Sequence, residues 1–382
     1  MQTLEQPTQS TNVRASAGAT GTFVLLSGHN DRAVITLCRF FRGAGLPFAI
    51  VAAGRDDAIH RTAYADAVIF NRLDKVLTVD WLAALADSLG GTAIHCPTTE
   101  FVNDFVLANR RAVEAAGWIV GLPERDVYER LTSKLASRDV VAGLTGVHAP
   151  REQAMDALHA PCVLKPRVNV SGGRVLYPIL CPDDARLAQA LATNDLNAEE
   201  WFAQDYVDGQ SRYLCGYLAA DGERAWFWQD NLLQQPGGKS IVLARTGRAP
   251  ALDAERFLDG LAALGYRGPL MMEVLEDRAG RLHYIEINPR FWGPLQLALD
   301  ACPRILALFA RDHGADVQWP EGGSDTKITE PRYYAWSHGA RDPACRRYPA
   351  ADALGDADAL ARVLDRNDIY AAPDTIALHG TH

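Results

Sequence analysis

The sequence predicts a mixed α/β and α+β protein in which an N-terminal open parallel sheet precedes two units built on antiparallel sheets. Up to residue 122, short apolar runs alternate with helical patterns, and beyond it pairs of strand patterns flank turn residues. At 382 residues the chain is too long for one compact core. We expect five segments: a disordered tail over 1–20, an α/β domain over 21–122, a small subdomain over 123–200, a large subdomain over 201–310 and a C-terminal extension over 311–382.

The alternation in the first domain is regular. An apolar run ending in glycine, "TFVLLSG", is followed by a helical pattern from Val34 to Phe41 and a second apolar run, "FAIVAAG". The pattern then repeats, and the later segments are a strand at 66–71, a helix at 79–89 and a strand at 92–98. Such alternation is typical of a parallel sheet covered by helices.

The second half of the chain changes character at residue 123. A helical pattern over 123–150 ends in glycines and a proline. Strand and turn patterns dominate from there on, at 161–179, 203–230, 270–275 and 281–287, with one helix at 253–266. The periodicity of residues 311–382 is too weak to assign elements, and we assign that segment no chemistry.

Composition and charge exclude several classes of protein. A formal net charge of −9 and a pI near 5.6 argue against sequence-independent binding of nucleic acid. No window has the ~20 apolar residues of a membrane span, and the polar N-terminus lacks the pattern of a secretory signal. Seven scattered cysteines suggest neither a disulfide framework nor a zinc site. We expect a cytoplasmic protein with small-molecule partners.

The stretch "GRLHYIEINPRFWG", residues 280–293, is the most informative one. With the strand "LMMEVLE" before it and the turn "DRAG" between them, it predicts a β-hairpin. If Glu276 faces Arg281, Glu273 and Glu286 lie diagonally on one face, within reach of a common ion. Period two places Asn288 beside Glu286 and points Ile285 and Ile287 to the other face.

The polar face of this hairpin has two interpretations. Two carboxylates and an amide oxygen, from Glu273, Glu286 and Asn288, are the hard ligands that suit Mg²⁺, with Mn²⁺ as the alternative ion. Alternatively, the glutamates are solvated strand residues that pair with nearby arginines at 278, 281 or 290. The hairpin alone leaves both open.

The presence or absence of other motifs indicates which classes of enzyme the sequence favours. Lys165 ends an apolar run and is followed by "VSGG", a combination suited to phosphate binding, although a lysine at a strand end is commonly just solvated. "QQPGGKS" has Leu233 where a Walker A loop needs glycine, so Lys239 either caps a loop or contacts substrate. The chain contains no GxGxxG after a strand, no GxSxG and no HExxH, which disfavours dehydrogenases, serine hydrolases and zinc peptidases.

Taken in order, Lys134 and the motifs "CVLKP", "VSGG", "QDYVDG", "MMEVLE" and "YIEINPRFWG" resemble the ATP-grasp superfamily over residues 21–310. The nearest groups are carboxylate-amine ligases and proteins similar to carbamoyl-phosphate synthase. The resemblance implies that two antiparallel-sheet subdomains enclose ATP. It also implies ATP-dependent ligation: a carboxylate is activated as an acyl phosphate and joined to an amine, with release of ADP and phosphate.

The resemblance assigns roles to the matching residues. Glu273, Glu286 and Asn288 would bind Mg²⁺, and the catalytic cations would be Arg290, near the transferred phosphoryl group, and Lys239. The nucleotide-binding set would be Lys134, Lys165, Ser171, Gly172, Gly173, Gln204, Asp205, Val207, Asp208 and Ser211.

Ser211 is a departure, since such proteins commonly carry a glutamate there for the ribose, and Asp208 is the substitute we expect. Met271 stands where some relatives have an arginine before the first metal carboxylate.

The implied partners are small-molecule carboxylates and amines, with amino acids or peptides as the expectation, and the protein is expected to form a homodimer. Two alternatives stay open: a kinase of ATP-grasp architecture that phosphorylates a small molecule, and a nucleotide-binding module without turnover. The first gives a stable phosphorylated product, and the second binds ATP without forming ADP.

Overall fold

The computed structural model describes residues 14–15, 21–72, 76–167, 170–171, 174–194, 196–318 and 330–380. Most of the expected tail lies outside these ranges. Strand β1 (Arg14–Ala15) is the described part of it, and it pairs antiparallel with Val317–Gln318. Across the described ranges, no helix combines the length and the apolar character needed to cross a bilayer.

The N-terminal unit is a five-stranded parallel sheet with the order β4-β3-β2-β5-β6. Its strands are β2 (Gly21–Leu26), β3 (Phe48–Ala52), β4 (Val68–Asn71), β5 (Thr92–His95) and β6 (Trp118–Ile119). Its helices are α1 (Asp31–Ala44), α2 (Val79–Leu89), α3 (Glu100–Ala108) and α4 (Arg110–Ala115). The parallel sheet agrees with the prediction. Helices α3 and α4 were not predicted.

A small antiparallel sheet follows, with the order β11-β8-β12-β7. Its strands are β7 (Glu152–Gln153), β8 (Cys162–Pro166), β11 (Ile179–Cys181) and β12 (Trp201–Asp205). A separate hairpin pairs β9 (Val170–Ser171) with β10 (Arg174–Val175). Helices α5 (Arg125–Thr132) and α6 (Ala136–Thr145) precede this sheet, and α7 (Asp184–Thr193) packs against it.

The prediction of one helical segment over 123–150 was wrong in one respect. The chain leaves the helix at Ser133, where the backbone is extended, and Lys134 lies in the break between α5 and α6. No glycine or proline marks this break in the sequence. The break places Lys134 so that its ammonium donates to the carbonyl of Pro166, at the end of β8, over 3.1 Å.

The large sheet has the order β17-β16-β13-β14-β15-β19, and β20 pairs with β14. Its strands are β13 (Gly209–Leu218), β14 (Arg224–Gln234), β15 (Ile241–Thr246), β16 (Gly268–Asp277), β17 (Leu282–Asn288), β19 (Tyr333–Ala335) and β20 (Arg346–Arg347), and β18 (Val317–Gln318) is the partner of β1. The helices of this half are α8 (Ala254–Ala263), α9 (Leu295–Ala301), α10 (Arg304–Asp312) and α11 (Ala357–Arg366).

Two hydrophobic cores lie on the two faces of the large sheet. One face packs against α5, α6 and α8, through residues such as Phe257 and Tyr266. The other face packs against α9 and α10, and this core continues into the parallel sheet through Phe309, Phe41 and Phe23, whose rings are in contact. The N-terminal unit and the large sheet therefore share one core.

The end of the chain is anchored on helix α1 by Arg39. Its guanidinium donates to both carboxylate oxygens of Asp374, at 2.7 and 3.0 Å, and to the carbonyl of Ile369 at 2.7 Å. Tyr64 donates a further hydrogen bond to Asp374. Burial of Asp374 opposes its ionisation, but the hydrogen bonds and charge of Arg39 hold its pKa below the ordinary value. This pair fixes the C-terminal segment to the first domain.

We expect Arg39→Ala to lower the free energy of unfolding by about 3 kcal/mol, because it leaves the mostly buried Asp374 carboxylate without its cation. Arg42→Ala is the matched control on the same helix. Arg42 pairs with exposed Asp66, so its loss should cost less than about 1 kcal/mol. Urea-induced unfolding measures both.

The pair of Arg39 and Asp374 also predicts how the free energy of unfolding depends on pH. Because the pKa of Asp374 is lowered in the folded protein, the stabilisation is complete above its unfolded value of about 3.9 and is lost as the pH falls through the lower native value. The difference between wild type and Arg39→Ala should therefore shrink below about pH 4. A difference that stays constant down to pH 2 would contradict this assignment.

Candidate active site

A cavity of about 640 Å³ lies between the small sheet and the large sheet. One end is apolar and is lined by Val163, Leu180, Leu275 and Ile285. The other end is charged and holds the remaining lining groups that matter most for chemistry: Lys165, Glu273 and Glu286. A cavity of this volume that combines apolar and charged lining residues suits a ligand with an apolar ring and an ionic tail.

The segment that joins the two sheets forms one wall of the cavity. Strand β12 ends at Asp205, and Gln204, Asp205, Tyr206 and Val207 line the cavity before β13 begins at Gly209. A side chain at Gly209 would place its Cβ 2.3 Å from the carbonyl oxygen of Glu276 on β16. Glycine therefore allows β13 to pair with β16 immediately after the chain leaves the cavity.

Glu273 and Glu286 are directly opposite each other on β16 and β17. The diagonal register predicted from the sequence was wrong. A β-bulge lies between these pairs, because Glu273 is opposite Glu286 whereas Val274 is opposite Tyr284. Ile285 is the extra residue.

The bulge also changes the direction of Ile285. This side chain lines the cavity together with Glu286, whereas period two predicted that it would point to the opposite face. Ile287 does pack in the core. A bulge that re-aims a side chain beside a functional site is a recurrent use of this irregularity.

A chain of buried hydrogen bonds holds Glu273. Gln229 donates to Asn231, Asn231 donates to the hydroxyl of Ser211, and Ser211 donates to Oε1 of Glu273, each over 2.7 Å. Ser211 is fully buried and its one proton is directed at Glu273. The structure thus places Ser211 behind the carboxylate and outside the set of cavity-lining residues.

The charged end of the cavity contains groups with altered acidity. Burial, together with the charge of Glu286, raises the pKa of Glu273 to about 7. Burial lowers the pKa of Lys165 to about 8, although Glu286 opposes this change. Burial also lowers the pKa of Lys134. Titratable groups shifted in opposite directions within one cavity are characteristic of functional sites.

The lysines of the chain are concentrated here. The sequence has five lysines, and three of them, Lys134, Lys165 and Lys239, lie in or beside this region. Lys165 extends from β8 and donates to the carbonyl of Ile285 over 3.3 Å. Lys134 lies close enough to Lys165 and Glu286 for their charges to interact.

Arg290 connects the carboxylate pair to the N-terminal unit. Its guanidinium donates to Glu100, on the first turn of α3, over 3.3 to 3.4 Å and to Oδ1 of Asn288 over 3.3 Å. Asn288 in turn donates to Oε1 of Glu286 over 2.8 Å. Arg290 does not line the cavity itself. Its hydrogen bond restricts the orientation of the Asn288 side chain.

The remaining predicted residues lie in different places. Lys239 is exposed, and its ammonium lies 5.0 Å from the ring centroid of Tyr177; their neighbours Gly238 and Pro178 line the cavity. Asp208 is exposed and pairs with Arg278. The backbone of Ser171 belongs to β9. Gly172 and Gly173 lie outside the described residues.

Many lining residues were not predicted, and two groups of them lie far from the predicted motifs. Gln234, Gly237 and Gly238 belong to the segment between β14 and β15, in which Gly237 and Gly238 have positive φ. Arg346 and Tyr348 belong to the C-terminal extension. The glycine pair was visible in the sequence, but no pattern indicated that residues 346–348 reach this cavity. Trp292, four residues after Asn288, is buried in the core.

The donor set is suited to Mg²⁺. Within the described residues no group of three or more acidic, histidine or cysteine side chains converges on one point. A pair of carboxylates is nevertheless the set that Mg²⁺ commonly uses, since water and substrate phosphates complete its shell. Glu273 is buried and Glu286 is half-buried, and burial together with the repulsion between these opposed carboxylates raises the pKa of Glu273. A divalent cation would remove the repulsion.

No protein-family model matches the sequence, and no curated protein matches it. Solved structures do match. The biotin carboxylase domain of 2-oxoglutarate carboxylase from Hydrogenobacter thermophilus, solved with MgADP, ADP and bicarbonate, is 16% identical, with a TM-score of 0.55 over 76% of this chain and 69% of that chain. Biotin carboxylase from Campylobacter jejuni is 15% identical, with a TM-score of 0.54 over 76% of this chain and 71% of that chain.

An N5-carboxyaminoimidazole ribonucleotide synthetase, solved with ADP, is also similar. It is 13% identical, with a TM-score of 0.57 over 80% of this chain and 81% of that chain. These proteins share the ATP-grasp fold, and the likeness at such low identity is one of fold. With its N-terminal parallel sheet and two antiparallel sheets that enclose a cavity, this chain has the ATP-grasp fold.

Proposed function

We propose that this protein is an ATP-dependent ligase that activates a carboxylate as an acyl phosphate and joins it to an amine, releasing ADP and phosphate. The observation that carries the proposal is the cavity between the two sheets. It combines an apolar slot beside the connecting segment with two opposed carboxylates and a buried lysine. The similar ATP-grasp structures, solved with MgADP or ADP, support the choice of nucleotide.

In this proposal the base of ATP occupies the apolar end, where Val163, Leu275 and Ile285 provide flat apolar contacts. The backbone of residues 204–207 supplies the polar edge that a purine requires. The phosphates extend toward Lys165, with Lys134 behind it, because both ammonium groups are buried and close to the carboxylate pair.

Glu273, Glu286 and the amide oxygen of Asn288 would hold Mg²⁺, which would neutralise charge on the phosphates. A carboxylate oxygen of the acid substrate then bonds to the γ-phosphorus as the bond to the β-phosphate oxygen breaks. The cations of the site offset repulsion between the two anions. The amine next attacks the acyl carbon, phosphate leaves, and the nitrogen loses a proton.

The acid is proposed to bind on the side of the N-terminal unit. Arg290, Asn288 and Glu100 meet there, and Arg32 reaches from α1 to Ser240, beside Lys239, over 2.9 Å. Lys239 and Arg290 are the cations we assign to the substrate side. Amino acids or peptides are our first candidates, bicarbonate is included because a similar structure contains it, and a homodimer is the proposed assembly.

The test is ADP release from Mg²⁺·ATP with pools of amino acids, dipeptides and bicarbonate, run with and without hydroxylamine. ADP formation together with a hydroxamate from one pool would establish carboxylate activation. ADP with a stable phosphorylated product would replace the ligase by the kinase alternative. Tight ATP binding without ADP from any pool would favour the non-catalytic module.

We expect Glu286→Gln to reduce ADP formation by about a thousandfold, since it removes one of two anionic ligands while keeping the shape of the side chain. Glu276→Gln is the matched control on the same hairpin. Glu276 pairs with Arg212 on the opposite face of β16, so its activity should stay within about twofold of wild type. Full activity in Glu286→Gln would refute the assignment of the ion site.

The lowered pKa of Lys165 predicts that ATP binding without divalent ions depends on pH. Its pKa of about 8 means that the ammonium is present below this pH and is lost above it, so ATP affinity should fall about tenfold from pH 8 to 9.5. Isothermal titration calorimetry measures this. Lys165→Arg keeps its charge throughout and should show only the smaller fall due to Lys134. Equal slopes in both proteins would contradict the role of Lys165.

A further inference from the structure

Strand β20 brings the C-terminal extension into the cavity wall. Strand β13 pairs with β14 only as far as Asp230, so the end of β14 at Leu233 and Gln234 has no partner on that side from β13. Strand β20 occupies this place, with Arg346 opposite Gln234 and Arg347 opposite Leu233. The extension therefore completes the sheet where β13 turns away toward the connecting segment.

Alternate residues of this short strand face the cavity. Ala344, Arg346 and Tyr348 line it, whereas Arg347 points outward and pairs with Asp352 over 3.1 Å. This is the period of two that a strand imposes on its side chains. Tyr348 is buried, and its hydroxyl donates to Gln234, so the strand is fixed to β14 by a side chain as well as by its backbone.

The guanidinium of Arg346 contacts two aromatic rings. It lies 4.6 Å from the ring centroid of Tyr348 and 5.3 Å from that of Tyr206. Cation–π contacts of this kind stabilise the guanidinium through its face, and they do not use its N–H donors.

Most of the donors of Arg346 have no partner among the described residues. Its guanidinium donates one long hydrogen bond, 3.5 Å, to the carbonyl of Val207. Among the described residues no carboxylate lies within ion-pair distance of it, although Glu273 is near enough for the charge of Arg346 to oppose the rise in pKa that burial causes there. A half-buried cation without an anionic partner is a binding group for an anion.

The position of Arg346 indicates which anion. It touches the connecting segment at Val207, beside the apolar slot, and its charge is felt at Glu273, at the ionic end. A nucleotide that spans these two ends has its sugar and first phosphate between them. A neutral sugar would leave the charge of Arg346 uncompensated, whereas a phosphate would neutralise it.

We propose that Arg346 binds the phosphate nearest the sugar, so that the C-terminal extension supplies part of the nucleotide site. The proposal rests on the proposed function, because it assumes an adenine nucleotide in this cavity. It assigns a role to a segment for which the sequence offered no chemistry.

The experiment compares adenosine, AMP and ADP binding to wild type, Arg346→Met and Arg347→Met by isothermal titration calorimetry without divalent ions. Methionine keeps the packing of the side-chain stem against the tyrosines. We expect Arg346→Met to lose about tenfold in affinity for both AMP and ADP, with adenosine unchanged. Arg347→Met, changed on the outward face of the same strand, should bind all three as wild type does.

Other outcomes separate the hypotheses. Unchanged AMP binding in Arg346→Met would overturn the proposal, and so would an equal loss for adenosine and AMP, which would place the contact on the base or sugar. A loss confined to ADP would move the contact to the next phosphate and also overturn it. A wild-type protein that binds neither ADP nor ATP would refute the proposed function itself. Arg346→Lys, which keeps the charge without the planar fork, should recover part of the AMP affinity, and thermal unfolding checks that each variant is folded.

Discussion

The central physical constraint in this protein is the direct opposition of two carboxylates in a buried site. Glu273 and Glu286 face each other across neighbouring strands, where like charges destabilise a sheet. Much of the surrounding structure serves to make this arrangement tolerable. Lys165 and Lys134 contribute positive charge, and the hydrogen bond from Ser211 stabilises the ionised form of Glu273. The folded protein thus holds two opposed carboxylates close to two buried ammonium groups.

The supporting contacts come from distant parts of the chain. The break between α5 and α6 supplies Lys134, and the buried amides of β14 orient Ser211. Arg290 links the first turn of α3 to Asn288, and through it to Glu286. A contiguous network of this kind restricts the orientations of Glu286 and Asn288, and it couples the parallel-sheet unit to the cavity.

The features that the sequence predicted correctly are those with strong local patterns. The alternation of apolar and polar residues around "DRAG" predicted the hairpin and put Glu273, Glu286 and Asn288 on it. The bulge at Ile285 escaped prediction because no glycine or proline marks it, and one inserted residue reverses the facing of its neighbour. The position of Arg346 could not be predicted for another reason. Its strand has only two residues, and the partner strand lies far away in the sequence.

The pairing of β20 with β14 also has a consequence for biosynthesis. Residue 346 reaches its partner at 234 only after more than a hundred further residues have been synthesised. A nascent chain that ends before this strand exposes the free hydrogen-bonding edge at the end of β14 and an incomplete cavity wall. The same holds for a chain cleaved within the extension. In either case the wall formed by Arg346 and Tyr348 is missing, so the cavity takes its final shape only after β20 has been added to the sheet.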